Sequence, residues 1–428
     1  MGEQLRRGPI AQRSPLGYPS LRGMGTATPG TGRVSFLLPS LAGGGAARVV
    51  LNLAEGLVER GLSVDLVLCR DAGPYREQLP GGVALHVLKR RSRLAARRLA
   101  WRASGADWRA LARPVLLALR DAPPLPYLGD LADWLRRERP SALIAGKTHT
   151  NLVACWARTL SGAPTRLAVT QHSVLSREIS SPKGRRWRWR YVAPAVATAY
   201  PAADSIVAVS DAVADDLTAT TGLARDRIIT IYNPVSLDAV AQQARESPGH
   251  AWLEPGQPPV VLGVGRLRPS KDFETLLRAF ASLRARRPVR LILLGEGSQR
   301  DALLALAREL GVSEDVALPG FVDNPFAYMG RAGVLALTSR YEALGNVLIE
   351  AFAAGCPVVG PRCPGGPREL LDEGRYGALV EPGDSAGFAN ALETTLDHPL
   401  PRATLLGRAA EFTTGRAVDR YLAALEMS

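Results

Sequence analysis

A chain of 428 residues can bury two separate cores, and 46% hydrophobic with 6% aromatic residues suits a soluble α/β protein rather than a fibrous or disordered one. The formal net charge of +13 is unevenly placed: residues 1–250 hold 34 Lys and Arg against 19 Asp and Glu, and residues 251–428 hold 19 against 21, so one half meets something anionic. No run reaches the roughly 18 apolar residues of a membrane-spanning helix, and Cys69, Cys155, Cys356 and Cys363 form no CxxC pair, which excludes a zinc ribbon or disulfide scaffold in favour of free buried thiols.

Residues 1–31, rich in Gly, Pro, Ser and Thr, read as a disordered tail, and the opening MGEQLRRGPIAQRSPLG lacks the apolar core of a signal peptide. Val34–Pro39 (VSFLLP) is a short buried strand, followed by Gly43-Gly44-Gly45, a helical pattern over Arg48–Arg60 and a second strand, Val64–Cys69. The glycines serve either a plain tight turn or the close approach of backbone to a ligand. Neither G-x-G-x-x-G nor its downstream acid is present, which sets a nicotinamide oxidoreductase aside.

After the strand Val83–Leu88 comes a basic excursion, Lys89 to Arg120, in which arginines interleave with Leu94, Trp101, Trp108 and Leu116 at roughly helical spacing. A second cluster, Lys183 to Arg190 (KGRRWRWR), repeats the pattern. Such segments are either solvated helical faces or amphipathic surfaces for anionic lipid. Nucleic acid is set aside because no RNA- or DNA-binding motif accompanies the charge.

Leu143–Ala145 and Leu167–Thr170 read as further buried strands. His149 (GKTHTN), just before a helix, and His172 (VTQHS) fall at their carboxyl ends, where doubly wound sheets have their crevice. Residues 204–235 read as strand, helix and strand, with Asp211 as the helix N-cap. A first domain over 32–237 thus ends at Asn233-Pro234, and the polar, Pro- and Gly-rich stretch 238–258 is the expected linker.

The second domain, 259–404, opens with the strand Val260–Val264, the turn GRLRPSKD and the helix Phe273–Arg284. Arg266 and Lys271 bracket that turn, and an arginine fork beside a lysine point charge can neutralise a diphosphate. Only four of the 53 basic residues are lysines (Lys89, Lys147, Lys183, Lys271), so a lysine here is informative. Leu291–Leu294 ends in Gly295-Glu296-Gly297, and Val316–Leu318 in Pro319-Gly320-Phe321-Val322.

The densest unit is 334–359, VLALTSRYEALGNVLIEAFAAGCPVV. Val334–Leu337 is a buried strand, a loop carries Arg340, Tyr341 and Glu342, and Gly345-Asn346 opens a helix stopped by Gly355 and Pro357. The helix N-terminus lies at the carboxyl edge of a parallel sheet, where phosphorylated ligands sit. Glu350 is apolar-flanked on all sides, and a buried carboxylate needs a partner.

The E-x7-E pair followed by A-x-x-x-G-x-P-V-V resembles the family-4 retaining glycosyltransferases, and the resemblance runs from about Arg33 to Asn390. It implies a GT-B fold: α/β, two Rossmann-like doubly wound domains facing across a cleft, with a helix over 405–428 packing back on the first. By resemblance Glu342 sits by the donor sugar and Glu350 holds the ribose hydroxyls, with Ala343 where the family often has glycine. Arg266 and Lys271, after Gly265, would bind the diphosphate. Gly295, Phe321 and Val322 would cradle base and ribose, and Ala343, Leu344, Gly345, Asn346 and Val347 would hold sugar and phosphate through backbone amides. In the first domain the family's GGAER turn corresponds to Gly44-Gly45-Ala46-Ala47-Arg48, without its glutamate, and lines the cleft near diphosphate and acceptor. His172, with His149 as the second match, would contact donor sugar or acceptor.

The chain has no D-x-D triplet, the usual metal-holding pair of the other main glycosyltransferase fold. Metal independence is therefore expected, with no cofactor beyond the nucleotide-sugar substrate, and the resemblance implies transfer with retention. A UDP-linked donor such as UDP-N-acetylhexosamine, a glycan or lipid-linked acceptor and a cytoplasmic location, peripheral on the membrane face, complete the expectation. A nucleotide-sugar epimerase of the same fold and a non-catalytic lipid- or partner-binding protein stand as alternatives.

Overall fold

The structure is a computed structural model and describes residues 32–42, 45–105, 108–117, 122–180 and 192–427. The expected tail at 1–31, the basic cluster 183–190 and Gly44 lie outside the described residues.

Two all-parallel sheets form two lobes. The first has seven strands: β1 (Arg33–Leu38), β2 (Ser63–Leu68), β3 (Val83–Val87), β4 (Ala142–Gly146), β5 (Arg166–Gln171), β6 (Ser205–Ala208) and β7 (Ile228–Thr230), in the order β3-β2-β1-β4-β5-β6-β7. The second has six: β8 (Val260–Val264), β9 (Arg290–Leu294), β10 (Val316–Gly320), β11 (Val334–Ala336), β12 (Val358–Pro361) and β13 (Ala378–Val380), in the order β10-β9-β8-β11-β12-β13. Central strands such as β4 (ALIAG) are buried along their whole length, because crossover helices cover both faces. That is why they read as apolar runs rather than as alternation. The strand order reverses at β1/β4 in one sheet and at β8/β11 in the other, so each lobe has one switch-point crevice.

Six helices position the cleft: α1 (Gly45–Val58), α2 (Thr148–Ser161), α3 (Asp211–Thr221), α4 (Phe273–Arg284), α5 (Asn346–Ala354) and α6 (Thr414–Ala424). One contiguous set of buried apolar residues runs from Leu143 and Val169 in the first sheet through Tyr232, Val235 and Val240 to Ile349 and Phe352 in α5. The lobes therefore share a core at the hinge. The four cysteines are free and buried, and burial pushes each thiol up to about 12.

Two expectations need correction. The chain crosses between lobes at Asn233–Ser236, and the stretch 238–258 is not a bare linker: Leu237–Gln243 is helical and packs against α5. The terminal segment is two helices rather than one. Arg402–Ala409 stays on the second lobe against α5, and only α6 returns to the first, burying Ala417, Val418 and Tyr421 beside α1. The basic excursion is anchored on the first lobe where it is described. Its helix Arg93–Ser104 buries Ala96 and Ala100, and Arg91 pairs with Asp130 at 3.1 Å and Asp133 at 2.6 Å. Leu94 (69% exposed) and Trp101 (52%) remain on its outer side. Among the described residues no helix is long and apolar enough to cross a membrane.

Candidate active site

Both turns at the second lobe's switch point are stitched together by backbone contacts. Thr338 Oγ1 donates to the Lys271 carbonyl at 3.0 Å, and the Arg340 amide donates to the Ser270 carbonyl at 3.0 Å. Arg340 also pairs with buried Asp272 at 3.1 Å. This seam brings two residues 71 positions apart into one ion pair, Lys271 Nζ on Glu342 Oε1. Ser339 Oγ donates to the same carboxylate oxygen at 2.7 Å. Lys271 and Glu342 side chains are 25% and 15% exposed, so the pair borders the cleft rather than bulk water.

The Glu342 loop rests on Cys363-Pro364-Gly365-Gly366. The Glu342 amide donates to the Pro364 carbonyl at 3.1 Å, and the Gly366 amide to the Glu342 carbonyl at 3.3 Å. Gly365 has φ +121, and a Cβ there would stand 1.4 Å from the Glu342 carbonyl oxygen, so only glycine lets the two loops close. The PGGP run, 364–367, is therefore the backbone seat of the Glu342 loop. Gly295 plays the same part behind Gly265: its φ is +129 and a Cβ would meet the Gly265 carbonyl at 2.1 Å. Phe321, 66% exposed, and half-buried Val322 lie beyond β10.

Leu344 and Gly345 are buried under α5, whose first residues, Asn346 and Val347, are half-buried. Glu350, 18% exposed, has its partner in the other lobe: Arg48 Nη1 lies 3.7 Å from Glu350 Oε1. Burial pushes the Glu350 carboxyl up, opposed by the charges of Arg48 and Lys271. Arg48 also lies over the rings of Tyr75 (5.7 Å) and Phe326 (5.5 Å). Its place in the GGAAR run was visible in the sequence, but its partner, 302 positions away, was not. Gly45 opens α1, and its Cβ would stand 3.1 Å from Asn346 Nδ2; Asn233 Nδ2 donates to Asn346 Oδ1 at 2.8 Å. A cavity of about 390 Å³ between the lobes is lined by Arg48, Asn233, Asp323, Phe326, Asn346 and Glu350 among others.

In the first lobe, His172 follows β5 directly and its ring packs against Gly146. Burial and the nearby Lys147 charge push its imidazole down to about 4, so it is neutral at pH 7. His149 lies within the first turn of α2 rather than before it. Lys147 stands at the carboxyl end of β4 with φ +77, near enough for its charge to act on His172. Sequence reading noted Lys147 as a rare lysine but gave it no role. Arg266 projects into the cleft from the far side, and burial and Arg268 hold its guanidinium below its ordinary value.

The first lobe also clasps the Glu342 loop. Ser210 Oγ donates to the Ala343 carbonyl at 2.7 Å, and Glu369 accepts from the Asp211 amide (3.0 Å), the Ala212 amide (2.7 Å) and Tyr232 Oη (3.0 Å). The N-cap of α3 is Ser210, not Asp211: Ser210 Oγ accepts from the Val213 amide, while the Asp211 side chain pairs with Arg225 at 2.8 Å. Among the described residues no three His, Cys, Asp or Glu side chains lie together as a metal-ligand set.

Chemically, the crevice offers a carboxylate fixed by lysine and serine at a helix N-terminus, with cations on both walls. It can hold a phosphorylated ligand and place a polar group beside the atoms next to the phosphate.

Comparison with known proteins agrees with this architecture. Residues 258–398 match the family model described as Glycosyl transferases group 1, and residues 43–239 match that of Glycosyltransferase Family 4. Among curated relatives, the N-acetylgalactosamine-N,N'-diacetylbacillosaminyl-diphospho-undecaprenol 4-alpha-N-acetylgalactosaminyltransferase of Campylobacter jejuni is 34% identical over 52% of this chain and 58% of its own. The lipopolysaccharide core biosynthesis glycosyltransferase LpsE of Rhizobium meliloti is 38% identical over 39% and 50%. The chain spans about half the length of the curated relatives it matches. Among solved structures, Anabaena HepE in complex with UDP-glucose superposes with a TM-score of 0.70 at 21% identity, covering 92% of this chain and all (100%) of that one. The lipopolysaccharide outer core galactosyltransferase WaaB gives 0.65 at 20% identity, covering 92% and 99%. With one lobe matched by each of these two glycosyltransferase models and both sheets doubly wound, the chain belongs to the glycosyltransferases of the GT-B fold.

Proposed function

We propose that the protein transfers a sugar from a nucleotide-sugar to a glycan or glycolipid acceptor of the cell envelope, with retention of anomeric configuration and without a metal ion. The observation that carries this reading is the Lys271–Glu342–Ser339 cluster at the N-terminus of α5, its lysine on the turn that also carries Arg266. Lys271 and Arg266 supply the positive charge that a departing diphosphate requires, so no divalent cation need bridge it. Glu342 holds Lys271 in place and lies where the donor sugar would sit, at the mouth of the helix. Glu350 would hold the ribose hydroxyls, with Phe321 and Val322 beside the base. Neutral His172 would meet donor sugar or acceptor as a hydrogen-bonding group rather than as a cation. Bond breaking at the anomeric carbon would leave an oxocarbenium-like sugar, and the departing diphosphate would take the acceptor's proton on the same face.

The UDP and lipopolysaccharide contexts of the relatives favour a UDP-linked donor, with UDP-N-acetylhexosamine the first to try. The acceptor side falls to the basic first lobe. Its Arg93–Ser104 helix, with Leu94 and Trp101 outward, would rest peripherally on anionic lipid at the cytoplasmic face. The test is a donor panel of UDP-, GDP- and ADP-sugars with chelator present, followed by assignment of the product anomer by NMR. An α-linked product from an α-linked donor, undiminished by chelator, is expected. An inverted product, or turnover only after metal is restored, would refute the corresponding part of the reading.

A further inference from the structure

Two turns of the second lobe set the Lys271–Glu342 pair, and one side-chain contact ties those turns together. Arg340 donates from Nε to Asp272 Oδ2 at 3.1 Å and from Nη2 to Asp272 Oδ1 at 3.3 Å. Asp272 directly follows Lys271, and Arg340 directly follows Ser339, whose hydroxyl holds Glu342. The arginine fork therefore spans the same seam as the ion pair beside it.

Asp272 breaks two local preferences to be there. It stands at the N-cap position of α4, where an aspartate ordinarily accepts from an amide of the first turn, yet its side chain makes no cap bond. Its backbone is left-handed, φ +51 and ψ 43, a conformation that favours glycine. The carboxylate is 5% exposed and turned to Arg340 instead. Stability is a weak reason for this choice, because the Arg340 side chain is 59% exposed and an ion pair reached by water adds little. Nor does the pair line the cavity between the lobes. Asp272 and Arg340 lie on a separate groove of about 440 Å³, with Phe273, Arg278, Leu303 and Leu306, that shares no lining residue with that cavity.

Resting on the glycosyltransferase reading above, we propose that Asp272 and Arg340 are positioning residues: they lock the Lys271 turn to the Glu342 loop and so set the ion pair in the geometry that transfer needs. Two backbone contacts align the same turns, Thr338 Oγ1 on the Lys271 carbonyl and the Arg340 amide on the Ser270 carbonyl. A guanidinium fork on both carboxylate oxygens adds a fixed direction that single contacts lack. Without it the turns slide, and Lys271 and Glu342 part.

The test compares wild type with Asp272→Gly, Asp272→Asn and Arg340→Ala. Glycine accepts the left-handed backbone and leaves no buried charge, so Asp272→Gly should melt near wild type although the fork is gone. Arg340→Ala strands the buried carboxylate and should melt lower. The first readout is independent of activity. Lys271 is one of only four lysines, so its labelling by trinitrobenzenesulfonate can be followed by peptide mass spectrometry, with exposed Lys89 as the internal standard. Relative to Lys89, Lys271 should label about threefold faster or more in Asp272→Gly. Asparagine tolerates the same backbone and keeps an acceptor for Arg340, so Asp272→Asn should label close to wild type. The second readout is turnover with the nucleotide-sugar that wild type uses. In Asp272→Gly kcat should fall about fivefold or more while the donor KM changes less than about twofold, because misplacement of Lys271 is felt most as the diphosphate departs. Asp272→Asn should recover most of that rate. Unchanged Lys271 labelling in Asp272→Gly would overturn the proposal whatever the kinetics. Faster labelling with kcat intact would overturn it too, leaving the fork a tie of the fold alone. If wild type turns over no UDP-, GDP- or ADP-sugar, the nucleotide-sugar reading falls, and the labelling alone decides whether the fork sets Lys271.

Discussion

In the second lobe the charges at the switch point are matched before any ligand arrives. Lys271 lies on Glu342, Ser339 fixes the same oxygen, and Arg340 covers Asp272. In the first lobe the match is weaker: among the described residues Lys147 makes no ion pair and feels only a minor pull from Glu178, and His172 beside it is kept neutral. The second lobe is thus a preformed site, its polar groups oriented by one another at no cost on binding. On the proposed reading, the first lobe would bring less fully paired groups to the cleft and gain more from a ligand than the second.

The largest effect should come from breaking the matched wall. Glu342→Gln keeps the side chain's size but frees Lys271, and Lys271→Ala leaves Glu342 uncompensated. Each should lower kcat at least about tenfold, or about 1.4 kcal/mol of transition-state stabilisation. Because the two side chains act as one unit, the double variant should lose little more than the worse single one. Steady-state kinetics on the four proteins checks this. Additive losses would mean that the ion pair is incidental.

Next comes the clasp that joins the walls. Glu369→Ala leaves the Asp211 and Ala212 amides and Tyr232 Oη without their acceptor, and Ser210→Ala leaves the Ala343 carbonyl without a donor. Orphaned buried groups cost about 1–3 kcal/mol each. Both variants should therefore melt lower and, by small-angle scattering, show a larger radius of gyration without ligand. Ser210→Thr should restore the closed form. An unchanged scattering profile in Glu369→Ala would show that the shared hinge core alone holds the lobes together.

Much of this comparison was legible in the chain, unevenly so. Strands buried on both faces appear as apolar runs, and Gly355 with Pro357 marks the end of α5 where it falls. Glu350 stood out because an apolar helix cannot bury a lone carboxylate, and Lys271 because lysine is rare here. The pairings were hidden. Lys271–Glu342 depends on a seam between two turns, and Arg48–Glu350 and Ser210–Ala343 depend on how the lobes meet, which no local pattern encodes. Asp211 was misread as a cap because Ser210 and Asp211 are equally good N-cap residues. The choice rests on backbone geometry: Ser210 is extended at φ −159, ψ 160. Lys147 was overlooked because the mark of its position, a positive φ, is a property of the fold rather than of the residue type.

A smaller effect tests Glu350, a second carboxylate that joins both walls. Burial raises the Glu350 carboxyl, and Arg48 and Lys271 pull it back down. Arg48→Met removes one of those opposing charges, so Glu350 should take up its proton at a higher pH than in wild type. A protonated Glu350 has one fewer acceptor for ribose hydroxyls. Nucleotide affinity in Arg48→Met should therefore begin to fall at a higher pH than in wild type as pH is lowered, by about twofold to threefold. Parallel pH dependences in calorimetry would show that Arg48 does not tune this carboxylate.

The smallest expected change is also the most local. His172 is held near 4 by burial first and by Lys147 second, well below the ordinary 6.5. A histidine whose folded value is depressed contributes stability above its unfolded value, and that contribution fades as pH falls from 6.5 toward 4. At neutral pH the imidazole carries no charge, so His172→Asn should lower the rate by a modest factor that stays constant between pH 6 and 8. Lys147→Ala removes the repulsive part alone. The His172 titration followed by NMR should then move up but stay below 6.5, because burial remains. An unmoved titration would place Lys147 too far from His172 for their charges to interact, and the unmatched wall would then be two separate features rather than one.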